Sequence, residues 1–221
     1  MMKRSLLVFV VLGFTFQVFA QEKDFRTWWS AEFSTELYDK VDISVVPEVR
    51  FIENSSMYAA FLTEVDASVP VTNYFRTGIK YRFEQIQSEE MYIGQRFSVF
   101  GRLRANPGKF TLDYRLVFQR EYIGMQTREN GKEPDDMLRH RFSASYSKKK
   151  WKIEPEVSLE IFDQLGYGSL AYAEKLRASA GVNYKVNKKL SLSLDFKYQQ
   201  EFYQNNPLQA YILSTSISYR L

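Results

Sequence analysis

The sequence predicts an all-β fold, a transmembrane antiparallel up-and-down β-barrel of about ten to twelve strands, twelve being preferred because such barrels close with even numbers. Three observations carry this. The chain opens with an export signal, it alternates apolar and polar residues almost from end to end, and its connections come in two lengths.

The first twenty residues follow the three-part plan of a secretory signal peptide. Lys3 and Arg4 give a positive start, Leu6 to Phe16 form an apolar run, and Val18-Phe19-Ala20 offers tolerated residues for cleavage after Ala20. The run is too short for a membrane-anchor helix, which needs roughly 20 apolar residues. Residues 1–20 are therefore expected to be a signal peptide and 21–221 one barrel domain, placed in the outer membrane of a Gram-negative bacterium. No cysteine follows the cut, so no lipid can be attached to a new N-terminal cysteine.

The alternation is clearest at Leu190, Leu192, Leu194, Phe196 and Tyr198, which are interleaved with Ser191, Ser193, Asp195, Lys197 and Gln199. Side chains alternate faces along a strand, so this segment has one oily and one wet side. Phe110 to Gln119 and Trp151 to Ile161 repeat the pattern. Such segments fall at about 25–37, 41–52, 58–69, 74–83, 91–103, 110–122, 138–147, 151–162, 173–184, 190–202 and 208–221. Most match the roughly 9–11 residues of a tilted membrane-spanning strand, not the roughly 5–6 of a soluble one. The eleven segments sit poorly with an even count, so 25–37 is expected to bend into two short strands or to lie partly in the lumen. Pro47 and Pro155 interrupt strands, where a missing N–H predicts β-bulges.

Short connections at 38–40, 71–73, 105–109, 148–150 and 185–189 carry Asn, Gly, Pro or Lys, as tight turns do. Between them fall 53–57, 84–90, 123–137, 163–172 and 203–207, two of them long. The short side is expected to be periplasmic and the long side extracellular. Phe75, Phe110, Tyr146, Trp151, Tyr184 and Tyr219 lie on the oily face near the short turns, while Phe51, Phe83, Tyr122, Phe202 and Tyr211 lie near the other end. These read as two interfacial girdles, with outer-membrane lipid as the partner.

Composition excludes several function classes. The absence of cysteine removes disulfides, thiol catalysis and thiolate metal sites. Removing Lys3 and Arg4 with the signal leaves 28 Lys+Arg against 26 Asp+Glu, too even a balance to suggest nucleic acid. No phosphate loop, zinc spacing or calcium loop is present, so no metal or cofactor is expected.

Trp28-Trp29, Pro47 to Arg50, Gly78 to Arg82, Tyr114-Arg115, Arg139 to Arg141 and Pro155 to Phe162 form a set of short motifs along the mature chain. Together they resemble an uncharacterised family of small outer-membrane barrels, catalogued as domain-of-unknown-function family 2490. The resemblance implies an outer-membrane barrel and no particular activity.

The wet face carries charge of both signs. Arg76, Arg82, Arg96, Arg102, Arg115, Arg139 and Arg141 fall on consecutive strands and are the candidate ligand-binding or channel-lining residues. Two readings follow. The charges pair into ladders that fill a narrow barrel, because buried charge must be paired. Alternatively, a track of guanidiniums takes a small acidic solute through bidentate contacts. A hairpin through the 70–73 turn would set Glu64 opposite Lys80. A membrane-embedded lipase- or deacylase-like hydrolase would need His140, the only histidine. Ser143 points to the opposite face and Leu138 and Phe142 are not nucleophiles, so no catalytic residue is assigned.

Overall fold

A computed structural model describes residues 22–38, 40–87, 91–123, 134–166, 172–202 and 207–221. The expected signal peptide and most of the longer loops lie outside the described residues. The regular elements described are strands: β1 (Glu22–Leu37), β2 (Val41–Ile52), β3 (Met57–Pro70), β4 (Phe75–Gln87), β5 (Met91–Ala105), β6 (Phe110–Ile123), β7 (Asp135–Tyr146), β8 (Ile153–Leu165), β9 (Tyr172–Lys185), β10 (Leu190–Glu201) and β11 (Leu208–Arg220). Each pairs antiparallel with its neighbours in sequence, and β1 meets β11 to close the barrel.

The closing seam is parallel, running from Glu22 opposite Leu208 to Ser34 opposite Arg220. An odd number of up-and-down strands leaves the first and last pointing the same way, so only a parallel pair can close the ring. The barrel thus has eleven strands, and the preference for twelve gives way. Segment 25–37 is one unbroken strand of the wall, neither bent in two nor folded into the lumen. Its outward positions Phe25, Trp29, Phe33 and Leu37 keep one oily face throughout, which lets the whole segment lie in the sheet.

The expected bulges at the prolines do not form. Pro47 lies opposite Thr63 in a regular ladder with β3, and the β1–β2 register is the same on either side of it, from Ser30 opposite Glu48 to Phe33 opposite Val45. Pro155 pairs with Val182, while the β7–β8 ladder ends one residue earlier at Ser145 opposite Glu156. Each missing N–H therefore removes a bond to one neighbour without forcing an extra residue. The register shifts lie elsewhere, at Arg50/Phe51 and Phe162/Asp163.

The turn after β3 also moves one expected pair. Thr72 Oγ1 accepts hydrogen bonds from the backbone N–H groups of Tyr74 and Phe75, and the N–H groups of Val71 and Thr72 donate to the Phe75 carbonyl. This turn leaves residues 71–75 between the paired Pro70 and Arg76, which places Glu64 across from Arg82 and Asp66 across from Lys80.

Burial is inverted relative to a water-soluble domain. Ser68, Glu84, Ser98, Gln119, Glu160, Gln199 and Ser214 are buried, while Ile79 is 62% and Val99 56% exposed on the outside. Soluble monomers rarely expose apolar patches beyond a few hundred Å². Covering each such side chain with hydrocarbon contributes about 1.5–3 kcal/mol, so the wall as a whole favours a bilayer strongly. At the short-turn end, Phe110, Tyr146 and Trp151 pack ring against ring at 5.2 and 6.0 Å, in the place expected for a girdle.

Candidate functional site

Alternation sends every second side chain of every strand into the lumen, and the charged face converges there. Glu64 on β3 accepts from Lys80 at 2.8 Å and from Arg82 at 2.7 Å. Arg82 continues to Glu84 at 3.3 Å, Glu84 to Arg96 at 3.4 Å, and Arg96 to Glu121 at 2.6 Å. One chain of ion pairs thus crosses four strands. On the opposite wall Glu160 lies between Arg139 at 2.6 Å and Arg177 at 3.3 Å. Low-dielectric surroundings make unpaired charge costly, and sharing each carboxylate between two cations keeps the interior balanced.

Of the seven arginines singled out from sequence, six meet a carboxylate. Arg76 pairs with Asp42, Arg102 with Asp113, and Arg141 with Glu156 at 3.2 Å, beside the contacts of Arg82, Arg96 and Arg139 already given. Arg115 is different: among the described residues no carboxylate lies within ion-pair distance of it, and its Nε is buried without a hydrogen-bond partner.

Three lumenal aromatics escaped the sequence reading. Trp28 is 7% exposed and is approached by Arg50, Arg177 and Lys197 at 4.2, 5.1 and 5.1 Å from its centroid. Phe162 lies among Arg139, Arg177 and Lys175, and Phe100 among Lys80 and Arg115. Cations over ring faces are held by the ring quadrupole. Position parity was the available signal, since Phe100 shares its face with Arg96 and Arg102, and Phe162 with Glu156 and Glu160.

The lumen is asymmetric along its axis. Toward the longer loops, Trp28, Phe162, Leu62, Ala210, Ile212 and Gln199 are all buried, and Trp28, Ala210 and Ile212 pack into one cluster with Leu208 against it. Toward the short turns a cavity of about 600 Å³ is lined by Ser34, Ser44, Ser68, Asp42, Glu64 and Asp66 on β1–β3 and by Arg76, Lys80, Arg102, Arg104 and Arg115 on β4–β6. A smaller void of about 170 Å³ lies beyond it, bounded by Lys80, Arg82, Arg115, Arg139, Arg141, Glu64 and Glu160.

His140 is on the outer wall. Its Nδ1 lies 2.9 Å from the Tyr114 hydroxyl and its Nε2 3.4 Å from Asp163. A phenol donating to Nδ1 would leave the ring proton on Nε2, toward the carboxylate. Leu116 and Ile161 flank His140 in register, so this cluster brings no serine to it.

The fold and lumen define a closed transmembrane β-barrel. The chain belongs to the family described as "Protein of unknown function (DUF2490)", which matches residues 25–210. Among solved structures, a bacterial polysaccharide outer membrane secretin is similar with a TM-score of 0.54 at 11% identity, covering 80% of this chain and 63% of that one. The chain thus spans just under two thirds of that protein's length. The NanC porin is similar with a TM-score of 0.51 at 11% identity, covering 84% of this chain and 93% of the porin. At such identity the likeness is one of fold. No curated protein sequence matches the chain.

Proposed function

We propose that the protein is an integral outer-membrane barrel of a Gram-negative bacterium, exported by cleavage near Ala20, that admits small polar solutes to a lumenal vestibule and carries out no catalysis. The observation that carries this is the asymmetry of the lumen. A cavity of about 600 Å³ at the short-turn end contrasts with the buried Trp28 and Phe162 at the other. The outward apolar wall supports membrane embedding, and the short turns beside the cavity support a periplasm-facing vestibule.

The cysteine-free chain makes a direct test possible. Single substitutions Ser44→Cys, in the vestibule, and Leu62→Cys, fully buried in the lumen, are treated with a membrane-impermeant thiol reagent after reconstitution into vesicles. Rapid labelling at Ser44→Cys and slow labelling at Leu62→Cys are expected, together with no large steady steps in planar-bilayer recordings of the wild type. Equal labelling at both positions, or steady conductance of an open pore, overturns the proposal. His140→Ala is expected to leave both readouts unchanged, and an esterase activity lost in that variant would favour the hydrolase reading instead.

A further inference from the structure

Four arginines stand in a single row across the lumenal wall. Arg76 on β4 is directly opposite Arg102 on β5, Arg102 is opposite Arg115 on β6, and Arg115 is opposite Arg141 on β7. Like charges in directly opposed cross-strand positions destabilise a sheet, so such a row demands compensation. Asp42, Asp113 and Glu156 compensate Arg76, Arg102 and Arg141. Arg115, in the middle, has only the face of Phe100, at 5.6 Å from its centroid. A guanidinium offers five N–H donors, and leaving the buried Nε–H without an acceptor is costly. Both lumenal cavities are lined by Arg115, so a solute in the vestibule reaches it directly.

We infer that Arg115, flanked by Arg102 and Arg141, is an oxyanion-binding site for a solute bearing a carboxylate or phosphate group. The site rests on the solute-accessible vestibule proposed above. The row holds one more cation than its carboxylates balance, which fits one bound anionic group. Planar guanidiniums pair with both carboxylate and phosphate oxygens in bidentate fashion, so the two classes share this chemistry.

The test is calorimetric titration of the refolded full-length barrel in detergent with inorganic phosphate and, separately, malonate. Saturable binding of either probe is expected, and the tighter one names the class. Arg115→Met, which keeps the stem and removes the charge, should weaken binding roughly tenfold or more, and Arg115→Lys should weaken it less. Arg120→Met, on the outer wall beside Asp136, should leave the affinity unchanged. Arg115→Met should also raise the thermal midpoint in the absence of anion, because it removes from a row of like charges the one guanidinium that no carboxylate pairs. A merely structural arginine would instead lower the midpoint when replaced. Absence of saturable binding by both probes to the wild type overturns the site, as does equal affinity in Arg115→Met. Labelling of Ser44→Cys separates the two failures: a labelled vestibule with no anion binding removes the site alone, whereas an unlabelled one removes the vestibule reading as well.

Discussion

The guanidinium of Arg50 lies 4.2 Å from the centroid of the Trp28 ring. This contact, with Arg177 and Lys197 on the same ring, ties β1, β2, β9 and β10 together inside the barrel. Trp28→Ala removes the surface that holds three cations apart. The cost in unfolding free energy should be about 3–5 kcal/mol, as for other large-to-small changes in packed interiors. In the same background Leu62→Cys should become accessible to the impermeant thiol reagent. Unchanged labelling would show that Trp28 does not shield Leu62.

Glu64 answers both Lys80 and Arg82 deep in the lumen, whereas Glu36 answers Arg220, whose side chain is 57% exposed at the rim. Glu64→Gln should destabilise the barrel by about 3–5 kcal/mol, because two interior cations lose their shared charge. Glu36→Gln should cost no more than about 1 kcal/mol. Denaturant unfolding from lipid vesicles measures both. Equal shifts would mean that the lumen is as wet as the rim.

Gly78 supports the Phe100 ring. A Cβ added there would sit 2.5 Å from the Ala67 carbonyl oxygen and 2.6 Å from the ring. The backbone contact cannot be relieved by turning a side chain, so Gly78→Ala should cost about 1–3 kcal/mol. Adding Phe100→Leu should recover only part of that cost, as a double-mutant cycle would measure. Full recovery would place all the strain in the ring.

Lipid contact should be graded along the wall. Val99 lies outward in the middle of β5, and Leu37 lies outward at the short-turn end of β1. Val99→Arg should cost about 2–4 kcal/mol of folding free energy in bilayers and Leu37→Arg about 0–1 kcal/mol. The reverse order would contradict this placement of the barrel in the membrane.

Much of this architecture is legible in the residue order, because a strand writes its two faces into alternate positions. Trp151 to Ile161 faces outward at Ile153, Val157 and Leu159 and inward at Glu156 and Glu160, as the alternation predicts. The seven arginines of the wet face stand on the lumenal wall for the same reason. The lumenal aromatics were missed because an aromatic on an oily-looking chain is naturally assigned to lipid. Only parity sets Phe100 with Arg102 and Phe162 with Glu160.

Strand identity, the sidedness of each strand and the inverted distribution of charge were settled by the sequence alone, since all three depend on neighbours one or two residues apart. The parallel seam joins Phe25 to Tyr211 and Phe33 to Tyr219, pairs for which no local turn sets the register. The bulge-free prolines and the displaced partner of Glu64 depend on which neighbour each backbone group meets. The arginine row does too: Arg76, Arg102, Arg115 and Arg141 come into line only once three successive registers have been set. Tertiary structure decided these features because a hydrogen-bonded ladder fixes alignment across strands, whereas alternation fixes only which way each residue points.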